Sequence, residues 1–164
     1  MKELFIIRHA KSSWSNANLK DFDRPLNERG LRDAPRMGER LQKKNLKPDL
    51  IVSSPANRAL TTAKTIAEKL SYPSDCIREE SLIYGATVND MIQLLSKTQD
   101  KVKRLFVFGH NPTFSSLAEE LSNESLGSIP TCAVVALKVP FESWQMLSRG
   151  TADLWFYDYP KNKS

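Results

Sequence analysis

The sequence predicts an α/β fold with three layers, in which a mostly parallel central sheet is flanked by helices. Three continuous apolar runs, at residues 4–7, 50–52 and 105–108, each end abruptly at polar residues. Continuous runs of this kind are typical of strands that are buried on both faces of a parallel sheet. Helix-like stretches follow these runs, and the alternation favours right-handed strand–helix–strand units.

The predicted helices cover residues 27–45, 57–70, 87–96 and 113–121. Two of them start alike, because Ser54 precedes Pro55 and Asn111 precedes Pro112 directly after a strand. Serine and asparagine are good N-cap residues, and proline is favoured at the first helical position, where its missing N–H is not needed. We therefore expect Ser54 and Asn111 to cap these two helices, with the prolines as the first helical residues.

The end of the chain predicts two further strands, at residues 131–139 and 152–159. No long helix separates them, which favours an antiparallel pair at the sheet edge near the C-terminus. A chain of 164 residues, 40% of them hydrophobic, can bury one core. Because no repeat, linker or low-complexity tract interrupts it, we predict one domain over residues 1–164.

Several classes of function are excluded by the composition. None of the six glycines is spaced to form a nucleotide-binding loop. Cys76 and Cys132 lie far apart without the neighbouring cysteines or histidines of a zinc site, so we predict neither a metal nor a cofactor. The sequence has no secretory signal and no apolar stretch near the ~18 residues that a membrane span needs. We expect a soluble, cytoplasmic protein that does not bind membranes.

Four polar residues are expected to meet at one edge of the sheet. Arg8 and His9 follow the first apolar run, Arg58 lies near the start of the helix after the second, and His110 follows the third. The carboxyl ends of parallel strands line one edge, where open α/β folds bind ligands. A cation near a helix N-terminus is unfavourable unless an anion binds there, and arginine recognises phosphate oxygens in pairs. The pattern therefore predicts a phosphate site.

Histidine chemistry suits such a site. A neutral imidazole can attack phosphorus and split one difficult step into two easier ones. A second histidine, if protonated, stabilises the charge that develops on the transferred group. His9 and His110 are the two histidines of the chain, and both follow a buried strand. Each alone could be a hydrogen-bonded strand-end residue, but together they favour catalysis.

Three ordered motifs resemble the histidine phosphatase superfamily, also called phosphoglycerate-mutase-like: Arg8-His9-Ala10, the stretch SSPANRALTTA at 53–63, and Gly109-His110-Asn111-Pro112. The run DRPLNERG at 23–30 and the short chain resemble its SixA-type phosphohistidine phosphatase branch. The resemblance covers essentially residues 2–157. It implies that His9 is the phosphorylated nucleophile, that Arg8 and Arg58 clamp the phosphate, and that His110 is the second histidine of the pocket.

Two positions depart from the superfamily pattern. Ala10 replaces its usual glycine, and Ser12 stands where many members have a threonine that contacts phosphate. Ser12 is therefore a candidate substrate-binding residue, although a simple serine turn is an equal alternative.

The general acid is less clear, because Tyr84 stands where larger superfamily members supply a glutamate. The sequence leaves Glu79, Glu80, Asp21, Asp23, His110 or no residue at all as the proton donor. An alkoxide leaving group needs strong proton donation, whereas the imidazole of phosphohistidine leaves easily from its P–N bond. A site without a well-placed acid is thus better matched to a phosphoramidate.

The net charge of +5 lies entirely within residues 1–50. Much of it falls at helical spacing on one predicted helix face, at Arg29, Arg32, Arg36, Arg40, Lys43 and Lys47. This face is either a solvated surface or a dock for an acidic partner. Nucleic-acid binding is not predicted, because no aromatic residues are interleaved with the basic ones.

The leading hypothesis is a phosphatase that works through a phosphohistidine enzyme intermediate and hydrolyses phosphohistidine carried by a protein. A small-molecule phosphomonoesterase of the same superfamily is one alternative. A non-catalytic phosphate-binding adaptor, which keeps the pocket without the acid, is the other.

Overall fold

A six-stranded sheet forms the centre of the protein in a computed structural model, which describes residues 1–162. Its strands are β1 (Lys2–Arg8), β2 (Leu50–Ser53), β3 (Arg78–Glu79), β4 (Arg104–Gly109), β5 (Val134–Val139) and β6 (Asp153–Asp158). They lie in the order β3-β2-β4-β1-β5-β6, and the first four run parallel to one another. β5 is antiparallel to both β1 and β6, so the predicted fold class, with its antiparallel edge strand near the C-terminus, is confirmed.

Four α-helices cover the sheet, and all four were predicted: α1 (Glu28–Lys43), α2 (Asn57–Lys69), α3 (Val88–Ser96) and α4 (Thr113–Ser122). The helices divide between two apolar clusters on the opposite faces of the sheet. Buried residues of α1 and α2 belong to one cluster, and those of α3 and α4 belong to the other. None of the helices within residues 1–162 is long and apolar enough to cross a membrane.

The central strand β1 explains why the apolar runs are continuous. Leu4, Phe5, Ile6 and Ile7 are all completely buried. Successive side chains point to opposite faces of a strand, so Leu4 and Ile6 enter one apolar cluster while Phe5 and Ile7 enter the other. With helices on both faces, neither side of β1 tolerates the polar residues of an alternating pattern.

The two proline-containing helix starts were predicted a little too early. The N-cap of α2 is Ala56 and that of α4 is Pro112. Ser54 instead accepts a hydrogen bond from the Ala56 N–H at 3.2 Å, and Asn111 accepts one from the Ser115 N–H at 3.2 Å. Both polar side chains hold the backbone that enters the helix, but from the turn before it, where they also take part in the site described below.

The strand β3 was not predicted. It has two residues, Arg78 and Glu79, and both are exposed. Only its parallel pairing with Val52 and Ser53 of β2 marks it as a strand. A segment this short and polar carries no hydrophobic pattern, so tertiary pairing alone identifies it.

The carboxyl ends of β1, β2 and β4 lie side by side, as predicted. Arg8 pairs with Gly109 across β1 and β4, and Ser53 pairs with Phe108 across β2 and β4. The segments that leave these three strands therefore start side by side at one edge of the sheet.

Gly30 in the first turn of α1 sets how closely this helix approaches the segment after β1. A Cβ atom on Gly30 would clash with the backbone carbonyl oxygen of Lys11, which cannot swing away as a flexible side chain would. We predict that Gly30→Ala lowers the free energy of unfolding by about 1–3 kcal/mol, although alanine is the better helix former. Urea unfolding measures the change. Leu31→Ala, at an exposed neighbouring position, should stay within about 0.5 kcal/mol of wild type; equal stability of both variants contradicts the prediction.

Candidate active site

His9 lies directly after β1 and is held by backbone bonds on both sides. Its N–H donates to the Gly109 carbonyl at 3.1 Å, and its carbonyl accepts from the Cys132 N–H at 2.9 Å. The imidazole is buried, with Nδ1 2.7 Å from the Ala10 carbonyl oxygen. Because a carbonyl only accepts hydrogen bonds, Nδ1 carries the ring proton. In the neutral ring Nε2 is therefore the nitrogen with a free lone pair.

Thr62 links the segment after β1 to helix α2. Its hydroxyl accepts a hydrogen bond from the Ala10 N–H at 3.0 Å and donates to the Arg58 carbonyl at 2.7 Å. This threonine is fully buried in the middle of the helix, where its hydroxyl needs both partners. It thereby sets the position of His9 relative to Arg58. Thr62 lies in the motif at residues 53–63, but the sequence analysis did not predict a role for its hydroxyl.

Two arginines, the buried Arg58 and the half-buried Arg8, reach the same place from different elements. Arg58 of α2 donates to Asp21, from Nη1 to the carbonyl at 2.7 Å and from Nη2 to Oδ2 at 3.0 Å. Arg8, at the end of β1, donates from Nη1 to the Ile129 carbonyl at 2.9 Å. The Nε atom of each guanidinium is buried without a hydrogen-bond partner among residues 1–162. Both groups therefore retain donors that an anion could satisfy.

His110 follows β4 and lies beside His9, with the two ring centroids 5.3 Å apart. Its Nε2 is 2.8 Å from the hydroxyl oxygen of Ser54. Its Nδ1 is a further buried nitrogen without a partner in the described part of the chain. Ser54 thus orients His110, and sequence reasoning assigned Ser54 only to helix capping.

Both imidazoles are neutral at pH 7 in the ligand-free protein. Burial lowers the pKa of His9 to about 3, against the raising effect of the bond to Ala10. Burial, and then the positive charge of Arg58, lower the pKa of His110 to about 4. Neutral imidazole is the form that can act as a nucleophile. His110 was expected to stabilise the developing charge in its protonated form. With this lowered pKa it is protonated only when a bound anion offsets the positive charge of the arginines.

A cavity of about 200 Å³ joins these groups at the edge of the sheet. Within the described part of the chain no aspartate or glutamate lines its wall, which consists of Arg8, His9, Lys11, Ser12, Trp14, Arg24, Arg58, His110, Asn111 and Thr131. All five residues that the sequence proposed for the site, Ser12 among them, therefore lie around one basic cavity. A wall with this charge favours an anionic ligand.

Arg24 is the residue that sequence reasoning missed. It is buried, and its Nη1 donates to the Ser12 hydroxyl at 2.8 Å. Its guanidinium carbon lies 3.4 Å from the centroid of the Trp14 ring, which stacks over it. The run at residues 23–30 was noted only as a branch resemblance, and no local pattern shows that this loop arginine folds inward.

Of the four carboxylates considered as proton donors, Asp21 alone reaches the site. Its Oδ2 accepts a hydrogen bond from the Tyr84 hydroxyl at 2.7 Å, and its Oδ1 accepts from Arg24 Nε at 3.1 Å. The Tyr84 bond and the Arg58 guanidinium lower the pKa of Asp21 to about 2, against the opposing effect of burial. Asp21 is therefore ionised at neutral pH and is a poor acid. The other three, Asp23, Glu79 and Glu80, line neither this cavity nor the one beside it.

The neighbouring cavity is larger, about 430 Å³, and opens beside the first. The two cavities share three residues, Arg58, His110 and Asn111. The rest of the larger wall is mostly apolar or aromatic around one carboxylate, with Asp21, Ile83, Tyr84, Gly85, Ala86, Pro112 and Thr113. A group bound in the smaller cavity can thus extend into the larger one.

The six basic residues that were predicted on one helix face lie outside this site, and half of them have partners within the protein. Lys47 is not on that face, because α1 ends at Lys43. Arg29 and Arg36 lie 3.5 and 3.9 Å from the carboxylate of buried Asp33. Arg40 binds Asp158 at 3.1 Å and two carbonyls of the C-terminal segment. The remaining three, Arg32, Lys43 and Lys47, are exposed. A dock for an acidic partner stays a prediction.

The fold and these contacts define an α/β protein whose sheet edge carries a pocket of histidines and arginines. A family profile described as histidine phosphatase superfamily (branch 1) matches residues 4–83. An uncharacterized protein of Mycobacterium tuberculosis is 30% identical over 165 residues, spanning 94% of this chain and 100% of its own length. The chain belongs to the histidine phosphatase superfamily.

Solved structures extend the similarity to the whole fold. SixA from Agrobacterium tumefaciens is 25% identical with a TM-score of 0.82, over 97% of this chain and 98% of its own. The protein histidine phosphatase SixA in complex with tungstate has a TM-score of 0.84 at 22% identity, over 99% of both chains. The SixA-type resemblance in the sequence is thereby confirmed at the level of the fold.

The two imidazoles give a direct test of the site's electrostatics, because the chain contains no others. We predict that both side chains stay neutral from pH 8 to pH 5 in the phosphate-free protein, with the His9 proton on Nδ1. Nitrogen-detected NMR of the imidazole rings measures this.

The unfolded chain binds more protons in this range, so the free energy of unfolding should fall with falling pH below about 6.5, by up to about 1.4 kcal/mol per pH unit for each histidine. An imidazole that titrates near pH 6.5 contradicts the prediction.

Proposed function

We propose that the protein is a phosphohistidine phosphatase that works through a phosphorylated His9. The observation that carries the proposal is the free Nε2 of a neutral, buried His9 in the wall of a basic cavity. Nucleophilic attack needs an unprotonated nitrogen and a phosphoryl group held in front of it. The hydrogen bond from Nδ1 to Ala10 supplies the first condition, and the basic wall supports the second.

In this proposal Arg8 and Arg58 clamp the phosphoryl oxygens. Their unpartnered Nε atoms, and the unpartnered Nδ1 of His110, are buried polar groups that an oxyanion can satisfy. Ser12 and Arg24 line the same wall and add donors to the phosphoryl group. Charge that develops during transfer is stabilised by these fixed donors without rearrangement. No step in the proposed reaction uses a metal or cofactor.

The absence of a carboxylate from the smaller cavity supports phosphohistidine as the substrate. Asp21, at the border of the larger cavity, is ionised and cannot readily donate a proton. An alkoxide would have to leave without proton donation, whereas an imidazole can leave as a neutral ring. A phosphoramidate therefore matches these residues better than an ordinary phosphate ester.

The relatives support both the proposal and its alternative. The structure named protein histidine phosphatase SixA holds tungstate, a tetrahedral oxyanion. A mycobacterial glucosyl-3-phosphoglycerate phosphatase shares the fold at 16% identity, with a TM-score of 0.72 over 97% of this chain and all of its own. Phosphoglycerate mutase 1 of Saccharomyces cerevisiae is 37% identical over 71 residues, which is 42% of this chain and 29% of that protein. A small-molecule phosphatase is thus the alternative within the superfamily.

We predict that wild-type protein mixed rapidly with a phosphohistidine peptide carries an acid-labile phosphate, and that His9→Ala does not. Removing the nucleophile should lower turnover by about 10³-fold or more. Rapid quenching in alkali, followed by mass spectrometry of the peptide that contains residue 9, locates the phosphate. Cys76→Ser, at an exposed position remote from the cavity, is the matched control and should react like wild type. Full turnover by His9→Ala overturns the proposal.

The substrate class is tested by assaying a phosphohistidine peptide, free phosphoramidate, a sugar phosphate and phosphoserine peptide side by side. We expect the two P–N compounds to exceed the two alkyl phosphates in kcat/KM by about 100-fold or more, because only the alkyl phosphates need strong proton donation. Preference for the sugar phosphate would favour the small-molecule alternative. Binding of phosphate without turnover of any compound would favour a non-catalytic adaptor.

A further inference from the structure

Asp21 stands at the border between the two cavities and is not explained by phosphate binding. A carboxylate repels a phosphoryl group, yet this one lies 3.0 Å from the guanidinium of Arg58, which lines both cavities. Its side chain is 48% exposed, so it is open to a ligand in the larger cavity. The hydroxyl of Tyr84 and the guanidinium of Arg24 hold it in this position.

The larger cavity suits a flat ring. Its volume of about 430 Å³ exceeds that of an imidazole, and Ile83, Ala86 and Pro112 contribute apolar wall. The Tyr84 ring lies edge to face with His110 at 5.6 Å and with Phe22 at 5.2 Å. Tyr84 is the aromatic residue beside His110 in this wall, and Asp21 is its carboxylate, next to Arg58. A cationic ring that contacts Tyr84 and Asp21 is attracted by both.

We propose that Asp21 pairs with the protonated imidazole of the substrate's phosphohistidine and stabilises it as the leaving group. This inference rests on the proposed function, and it explains how the same site can release the leaving group without a general acid. A phosphohistidine ring that carries a proton on its second nitrogen is an imidazolium, and an ionised carboxylate nearby favours that form. Asp21 therefore supports protonation of the substrate rather than giving up a proton itself.

The transfer step then balances without any proton transfer. The lone pair of His9 Nε2 forms the bond to phosphorus, and the electron pair of the breaking P–N bond stays on the substrate nitrogen. The substrate ring arrives as an imidazolium and leaves as a neutral imidazole that keeps its other proton. His9 becomes a phosphoimidazolium whose Nδ1 proton stays bonded to the Ala10 carbonyl.

The second step closes the cycle. Water attacks phosphorus, and the electron pair of the P–N bond returns to Nε2 of His9. The products are a neutral His9 with its proton on Nδ1 and dihydrogen phosphate, which then loses a proton to solvent. Both steps exchange the phosphoryl group at a neutral imidazole, consistent with the depressed pKa of His9.

The test is the Asp21→Asn variant, assayed on a phosphohistidine peptide at pH 8 and at pH 6. At pH 8 a free imidazole, with its ordinary pKa of about 6.5, is mostly unprotonated, so loss of the carboxylate should lower kcat/KM about tenfold or more. At pH 6 solvent supplies the proton, and the loss should shrink to about threefold or less. Asp21→Glu, which keeps the charge, should recover most of the activity at pH 8.

The controls separate this role from a structural one. Arg24, Arg58, Tyr84 and His110 face Asp21, and each variant is compared with wild type at the same pH. Asp23→Asn changes an exposed carboxylate of the same turn and should match wild type at both pH values. Inhibition by tungstate should be unchanged or stronger in Asp21→Asn, because Arg58 loses a competing anion.

The outcomes are distinct. An equal loss at pH 6 and pH 8, or a matching loss of tungstate inhibition, means that Asp21 only holds the arginines in place and overturns the inference. Full activity of Asp21→Asn at pH 8 also overturns it. If wild type does not hydrolyse the phosphohistidine peptide, the proposed function itself fails, and this inference fails with it.

Discussion

The arrangement of the site depends on the burial of positive charge at one edge of the sheet. Arg8, at the end of the central strand, is half-buried, and Arg24 and Arg58 are almost completely buried. A buried guanidinium is costly unless its donors are satisfied. One carboxylate, Asp21, pairs with two of these groups, while among residues 1–162 Arg8 donates from Nη1 to the Ile129 carbonyl alone. The site thus gathers three guanidinium groups around one carboxylate. Burial, and then the positive charge of Arg58, lower the pKa of His110 there to about 4.

The positive charge of these arginines links the fold to the proposed chemistry. Burial, with a smaller contribution from the neighbouring arginines, lowers the pKa of both imidazoles and keeps them neutral at pH 7, which is the form that the proposed nucleophile His9 requires. In the proposed reaction a phosphoryl group would offset the same charge and accept hydrogen bonds from the arginine donors. The backbone bonds on both sides of His9 and the hydroxyl of Thr62 keep the imidazole from shifting away from the arginines.

The amino-acid pattern predicted the parts that depend on local periodicity and strand order. The enclosed strand that leads to Arg8 and His9, and the helix that carries Arg58, follow from apolar runs and helical spacing. The inward fold of Arg24 and the bond from Ser54 to His110 could not be predicted, because they depend on where loops from distant parts of the chain lie. The prediction that Ser54 caps α2 was wrong for a related reason. Its side chain lies in the turn before the helix, where its hydroxyl contacts Nε2 of His110.

The missing acid also bears on specificity. Tyr84 stands where larger superfamily members have a glutamate, and its hydroxyl binds Asp21 instead of a leaving group. In the proposed reaction no carboxylic acid among residues 1–162 donates a proton to the leaving group, so the site would discriminate by the intrinsic ability of the leaving group to depart. Transfer from one imidazole to another forms and breaks the same kind of bond, so it is close to balanced in free energy. In the proposed cycle, hydrolysis of phospho-His9 is then the step that makes turnover irreversible. A site of this kind needs to bind the phosphoryl group and exclude poor leaving groups, and both properties follow from its arginines and its lack of an acid.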